Sequence, residues 1–272
     1  MAKAAEKLSD DGLRFSSSPQ EFAAAGKAIR TRVPRVAHGT WKPSPTRPDP
    51  LEILREADAQ RMPDLVPIRY GRMLQSPFAF YRGTAGVMAA DLAETPMTGI
   101  TVQTCGDCHL KNFGGFATPE RNIVFDINDF DETLPGPWEW DLKRLAASFV
   151  LAARNNSLSE EVAGESATIC AQNYREAMRE YSLLGPLELW YRRFGEKEYL
   201  EQVPDPKVRG RVQKRTPGTP SLGFVIFQAA SSASEPVSSC AAVSCVSADS
   251  SVSPFFFFCL SLMRFGYHSA RP

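Results

Sequence analysis

Apolar side chains recur at helical spacing from Ser18 to about Glu94, at strand spacing through a short central stretch, and at helical spacing again from Trp138 to Ser182. The first helix is announced by Ser18-Pro-Gln-Glu21, a capping box with proline in the first turn, and Phe22, Ala25 and Ile29 then fall on one side. The stretch "VPRVAHGTWKPSPTRPDP" holds five prolines and predicts an extended connection. Asp49-Pro50-Leu-Glu52 is a second capping signal, for a helix running to about Arg61. "VPIRYGRMLQ" and "SPFAFYRGTAGVMAADLAE" predict two more helices, the second with Phe80, Val87, Met88 and Leu92 on its core side. The period then changes. "GITVQTC", "NFGGFAT" and "RNIVFDIND" are β-rich, with Ile123, Phe125 and Ile127 alternating in the last. Beyond Trp138 one helical stripe carries Leu142, Leu145, Phe149 and Ala152, and the next carries Ala163, Ala167, Cys170, Tyr174, Met178 and Tyr181. The expected class is α+β: helices, a polar β hairpin, then helices.

Composition divides the chain further. Lys+Arg and Asp+Glu both number 31, so no overall basic footprint points to nucleic acid. The local basic clusters, Lys27 to Arg47 and Lys207 to Arg215, read as solvated faces or linkers. Beyond Arg215 the only charged residues are Glu235, Asp249, Arg264 and Arg271, and the sequence turns into a Ser, Ala, Val and Cys mixture. That tail lacks a sustained period and reads as out-of-frame or low-complexity sequence. Its apolar run, Phe255 to Met263, falls short of the roughly 20 residues needed to span a bilayer, and no membrane association is expected. The same run is an aggregation hazard in an exposed strand. The expected divisions are residues 1–32 as tail and first helix, 33–215 as the main domain, and 216–272 as the tail. "MAKAAEKLSDDG" has no apolar signal core, so a reducing cytoplasm without disulfides is expected.

The densest chemistry lies in "TCGDCHLKNF". Cys105, Cys108 and His109 fit the C-x-x-C-H pattern of covalent haem attachment, but that chemistry belongs to exported proteins. Zinc would need a further Cys or His ligand nearby, and a redox dithiol would open a helix in a βαβ unit. Small, buried packing residues is the reading preferred for both cysteines. Phosphoryl transfer explains more of the stretch. It requires one carboxylate to orient or deprotonate an attacking hydroxyl, and an amide plus a second carboxylate to hold Mg²⁺ against phosphates. Asp107 supplies the first, Asn112 the amide, and "VFDINDFDE" brings Asp126, Asp129 and Asp131 one hairpin later. An EF-hand fits poorly, since the glycine and distal glutamate are missing.

"GDCHLKNF", "FDINDFDE" and "WEWDLKRLAASF" resemble the aminoglycoside-phosphotransferase branch of kinase-like enzymes. More closely, Val33 to about Arg215 resembles a bacterial family of uncharacterised proteins, the domain of unknown function 2252, through "PIRYGRM", "SPFAFYRG", "CGDCHLKNFGGF" and "FDINDFDETLPGPWEWDLKRLA". The resemblance implies a protein-kinase-like helical lobe whose small β hairpin carries the catalytic and metal loops. Carried over, Asp107 is the expected catalytic base and His109 orients its loop. Asn112 and Asp129 are the expected Mg²⁺ ligands, with Asp126 the rival carboxylate, and Asp141 braces the loop from the next helix. Arg82 is the expected cofactor contact, with Arg69 and Arg72 candidates for phosphate or for structural ion pairs. ATP and Mg²⁺ are the implied cofactors, and the phosphate acceptor and oligomeric state stay open.

Kinase-like sites also use a glycine-rich cover and a lysine for the nucleotide phosphates. No G-x-G-x-x-G occurs in the chain, and Lys3, Lys7, Lys27 and Lys42 lie in a tail, a helix and a loop. The resemblance places that clamp after the helical segment, where the charge-poor tail begins, so a truncated or frame-shifted member with weak or absent catalysis is expected. The alternative is a non-catalytic module that binds a divalent cation or a partner.

Overall fold

A computed structural model describes residues 18–195 apart from 121. The expected tail at 216–272, its Phe255–Met263 run and the Lys207–Arg215 cluster lie outside the described residues, as does the side chain of Ile123.

Helix α1 spans Pro19–Arg32 and its capping box is complete, with Ser18 Oγ accepting from Glu21 N and the Glu21 carboxylate accepting from Ser18 N. The proline-rich connection is extended except for a 3-10 turn at Arg35–Gly39 and a tight turn closed by Arg47 N donating to Ser44 O at 3.0 Å. Asp49 caps α2, Pro50–Asp58, by accepting from Leu51 N at 2.9 Å, and this helix ends three residues before the expected Arg61. Helix α3 spans Val66–Met73.

The expected single helix after Ser76 is two, α4 at Pro77–Arg82 and α5 at Ala85–Leu92. The break falls at Gly83, the C-cap of α4, where a Cβ would lie 2.6 Å from Sδ of the buried Met73, so the position has room only for glycine. The break also resets the phase of the buried face: Phe78 is 4% exposed whereas Phe80, expected inside, is 40% exposed. Val87 and Leu92 are buried as expected.

Two antiparallel pairs follow. Strands β2 (Phe113–Ala117) and β3 (Ile123–Ile127) form the expected hairpin, with Phe113 opposite Ile127. Strand β1 (Thr101–Thr104) pairs instead with β4 (Leu134–Pro137), which the sequence pattern did not announce. β4 has prolines at 135 and 137 and no apolar alternation. It is held by its partner's hydroxyls and its own: Thr104 Oγ1 donates to Leu134 O at 2.7 Å and Thr133 Oγ1 to Thr104 O at 2.6 Å. Proline is tolerated in such a two-stranded pair because each strand is an edge.

Helix α6 (Trp138–Asn155) and α7 (Glu160–Tyr181) pack against each other, and α6 also lies against β1 and β4. The main core joins Cys105, Cys108, Phe113, Ile127, Leu145, Phe149 and Cys170, so both loop cysteines are core thiols, the packing role expected of them. A smaller core unites Leu54, Met73 and Val87. On α7 the buried row includes Ala177, while Met178 is exposed. A short α8, Pro186–Tyr191, turns the chain back to β3, where Phe194 O accepts from Phe125 N at 2.9 Å. No helix among the described residues is long and apolar enough to cross a membrane.

Candidate functional site

The loop after β1 is built around a sharp turn at Gly106, whose φ of +82° lies in the left-handed region that favours glycine. One face of α6 grips this loop residue by residue. Asp141 accepts from Cys105 N at 2.7 Å and from Gly106 N at 3.1 Å. Arg144 donates through Nε to Asp107 Oδ1 at 2.7 Å, and its Nη2 is paired with the same oxygen. Ser148 Oγ accepts from Leu110 N at 3.0 Å. Positions 141, 144 and 148 lie on one side of a helix, so the polar row runs beside the apolar row of Leu145 and Phe149. All three side chains are buried.

The second loop is tied to the first by Asn112. Its Nδ2 donates to Asp107 O and to Asp129 O, each at 3.1 Å, and Cys105 Sγ lies within 3.7 Å of the same nitrogen. Those bonds commit the amide nitrogen and leave Oδ1 as the donor atom a cation could use. Asp129 has an exposed side chain, and its Oδ1 accepts from Asp131 N at 3.2 Å. Its charge pushes the Asp107 carboxyl upward, which places the two acids in one electrostatic neighbourhood. Asp126 sits on β3 opposite Gly114 and accepts from the neighbouring Ile127 N at 2.9 Å. Of the two residues that rival each other as metal carboxylate, Asp129 is the one whose backbone carbonyl Asn112 holds, its carboxylate remaining exposed.

Burial is the main influence on Asp107 and raises its carboxyl from the ordinary value, with Arg144 opposing. Asp141 is pushed up to about 6 by burial, against the two backbone N–H groups it accepts from. His109 is buried, and desolvation, reinforced by Arg144 and Arg82, lowers it to about 3, so its imidazole is neutral. Its Nε2 lies 3.6 Å from Asp107 Oδ2, beyond hydrogen-bond reach, and its Nδ1 has no partner. The backbone of His109 does the orienting: its N–H donates to Asp107 O at 2.9 Å and its carbonyl accepts from Asn112 N at 2.8 Å.

A histidine held below its ordinary value loses stability as acid protonates the unfolded chain first. Wild type is therefore expected to lose stability relative to His109→Gln as pH falls below about 6.5, by up to ~1.4 kcal/mol per pH unit. Denaturant unfolding of both proteins across pH 4 to 7 checks this, and parallel curves would contradict it.

The arginines divide. Arg69 pairs with Asp58 at 3.4 Å and also donates to the Gly83 carbonyl, a structural role. Arg82, at the end of α4, is exposed and makes no hydrogen bond or ion pair with another described residue. Its charge acts on Asp107, His109 and Lys111, so it stands beside the loop. Arg72 is exposed on α3. Arg144 was not singled out from the sequence, although an Asp141, Arg144, Ser148 row beside an apolar stripe was there to be read. An open, apolar groove of about 580 Å³ between Met73 and Leu151 shares Tyr81 with Arg144, and none of the candidate residues lines it.

The fold and site define a mixed α+β protein in which one loop is gripped by a buried helix and holds a second, acidic loop through Asn112. The chain belongs to the family described as "Uncharacterized protein conserved in bacteria (DUF2252)", which matches residues 61–218, more than half of its length. No curated protein and no solved structure matches it.

Proposed function

We propose that the two loops form a phosphotransferase-type site for ATP, Mg²⁺ and a hydroxyl-bearing small-molecule acceptor. The observation that carries this reading is the Asn112 bridge, which fixes the backbones of Asp107 and Asp129 to one amide. Among the described residues no group of three or more His, Cys, Asp or Glu side chains forms a ready metal site. Mg²⁺ does not require one, since it binds through one or two protein oxygens, its own waters and substrate phosphates. Asn112 Oδ1 and the exposed Asp129 carboxylate are hard oxygen donors of that kind. Bound there, the ion would neutralise phosphate charge. Arg82 would meet the phosphates from α4, and Asp107 would orient the acceptor hydroxyl and take its proton.

The chain is expected to turn over ATP slowly, because no glycine-rich phosphate cover occurs in its sequence. Asp107→Asn is expected to lower that turnover by about 100-fold or more. Phosphate release measured for both proteins checks it, and equal rates would remove Asp107 from the chemistry. A second reading, a non-catalytic cation- or partner-binding module, draws on the Arg144 pair, which gives Asp107 a structural partner. Metal binding without nucleotide binding would favour it.

A further inference from the structure

We propose that Arg144 is the positioning residue of Asp107: its guanidinium occupies Oδ1 and leaves Oδ2 as the oxygen presented to the acceptor hydroxyl. This rests on the phosphotransferase reading. An arginine facing a carboxylate usually forks across both oxygens. Here Nε, at 2.7 Å, and Nη2 both meet Oδ1. The reason lies on α4. Arg144 Nη2 also donates to Tyr81 O at 2.9 Å, its guanidinium carbon stands 4.5 Å from the centre of the Tyr81 ring, and Tyr81 OH donates to Arg144 O at 2.8 Å. The guanidinium is therefore held by the Tyr81 carbonyl and ring as well as by Asp107, an arrangement that keeps both donors on one oxygen.

Asp107 is fixed as firmly from the other direction. Its carbonyl accepts from His109 N and from Asn112 Nδ2, which stops the loop from swinging the carboxylate round. The Arg144 side chain is 3% exposed and that of Asp107 21% exposed, so the pair is sealed at the arginine end and open at the aspartate end. The neutral His109 Nε2 lies 3.6 Å from Oδ2, too distant to consume its lone pairs. A carboxylate with one oxygen tied and one open has a single direction in which to accept a proton. Such pre-set geometry is worth large rate factors, since a misplacement of about 1 Å can cost roughly 100-fold.

Infrared spectroscopy of the full chain, labelled with ¹³C at the aspartate carboxyls, tests the arrangement whether or not the chain is active. Wild type minus Asp107→Asn isolates the Asp107 bands. Widely separated antisymmetric and symmetric stretches, as expected for hydrogen bonds on one oxygen, support the proposal, and the narrow separation of two equally bonded oxygens overturns it. Arg144→Gln is expected to narrow the separation; should that variant not fold, the wild-type bands decide. With MgATP, Arg144→Lys keeps the charge but not the double contact, and is expected to lower kcat by about 100-fold while KM for ATP stays within about twofold. Turnover that needs Asp107 but is indifferent to Arg144→Lys overturns the positioning role. Absence of any Asp107-dependent turnover overturns the phosphotransferase reading instead, while the infrared bands still decide which oxygen Arg144 holds.

Discussion

Replacing Gly106 with alanine is expected to cost more than about 4 kcal/mol of stability, a loss confined to a few mechanisms of which backbone strain with overlap is one. Two effects combine at this position. The φ of +82° is a conformation that side chains with a Cβ rarely adopt. A Cβ built there would lie 1.9 Å from the Glu132 carbonyl oxygen, and that obstacle is backbone rather than a side chain able to turn aside. The loop bearing Asp107 and the chain just beyond Asp129 would have to separate. Gly164→Ala supplies the contrast, since nothing lies within 4 Å of its Cβ position on exposed α7. That change is expected to add about 0.5–1 kcal/mol through helix propensity. Thermal and denaturant unfolding of both variants checks the pair, and a Gly106→Ala loss below about 1 kcal/mol would contradict the close approach.

Asp141→Ala is expected to cost about 3 kcal/mol, because it leaves the N–H groups of Cys105 and Gly106 without their acceptor beneath the loop. Relief from burying a carboxyl already pushed up to about 6 offsets part of the loss. That offset has a definite sign. A carboxyl raised in the folded state keeps its proton longer there, so its burial penalty is absent below about 4, grows as pH rises to about 6 and is constant above. The wild-type advantage over Asp141→Ala should therefore shrink between those values. Amide hydrogen exchange at Cys105 and Gly106 should quicken more than exchange in α7. Unaltered exchange at those two amides would show that the loop is held by something other than α6.

Much of this arrangement was legible because it is local. The capping box at Ser18 and the Asp49 cap need only neighbouring residues, and both formed. Asp107 and Asn112 lie on one turn of chain, and Asp129 follows at the end of the hairpin strand that brings it back. What the pattern missed depends on distant partners. β4 has no strand signature and forms by pairing with the distant β1, where Thr104 and Thr133 add side-chain bonds at one end. The break between α4 and α5 falls where Met73 packs over Gly83, a contact between residues ten positions apart that the helical pattern does not announce. Arg144 meets Asp107 across 37 positions, and a charged residue in helix sequence ordinarily faces water. The Asp141, Arg144, Ser148 row marks the helix face, but its burial follows from the position of α6 beneath the loop, which that spacing alone does not convey.

The measurement that bears most directly on the central claim is calorimetric titration of ATP in the presence of Mg²⁺ into the wild-type chain and into Asp129→Asn. A phosphotransferase-type site predicts Mg²⁺-dependent binding to wild type that the single substitution abolishes, because Asp129 carries the exposed carboxylate at the point where Asn112 holds the loop's backbone. Absence of binding to wild type, or binding that is equal in both proteins, would contradict it.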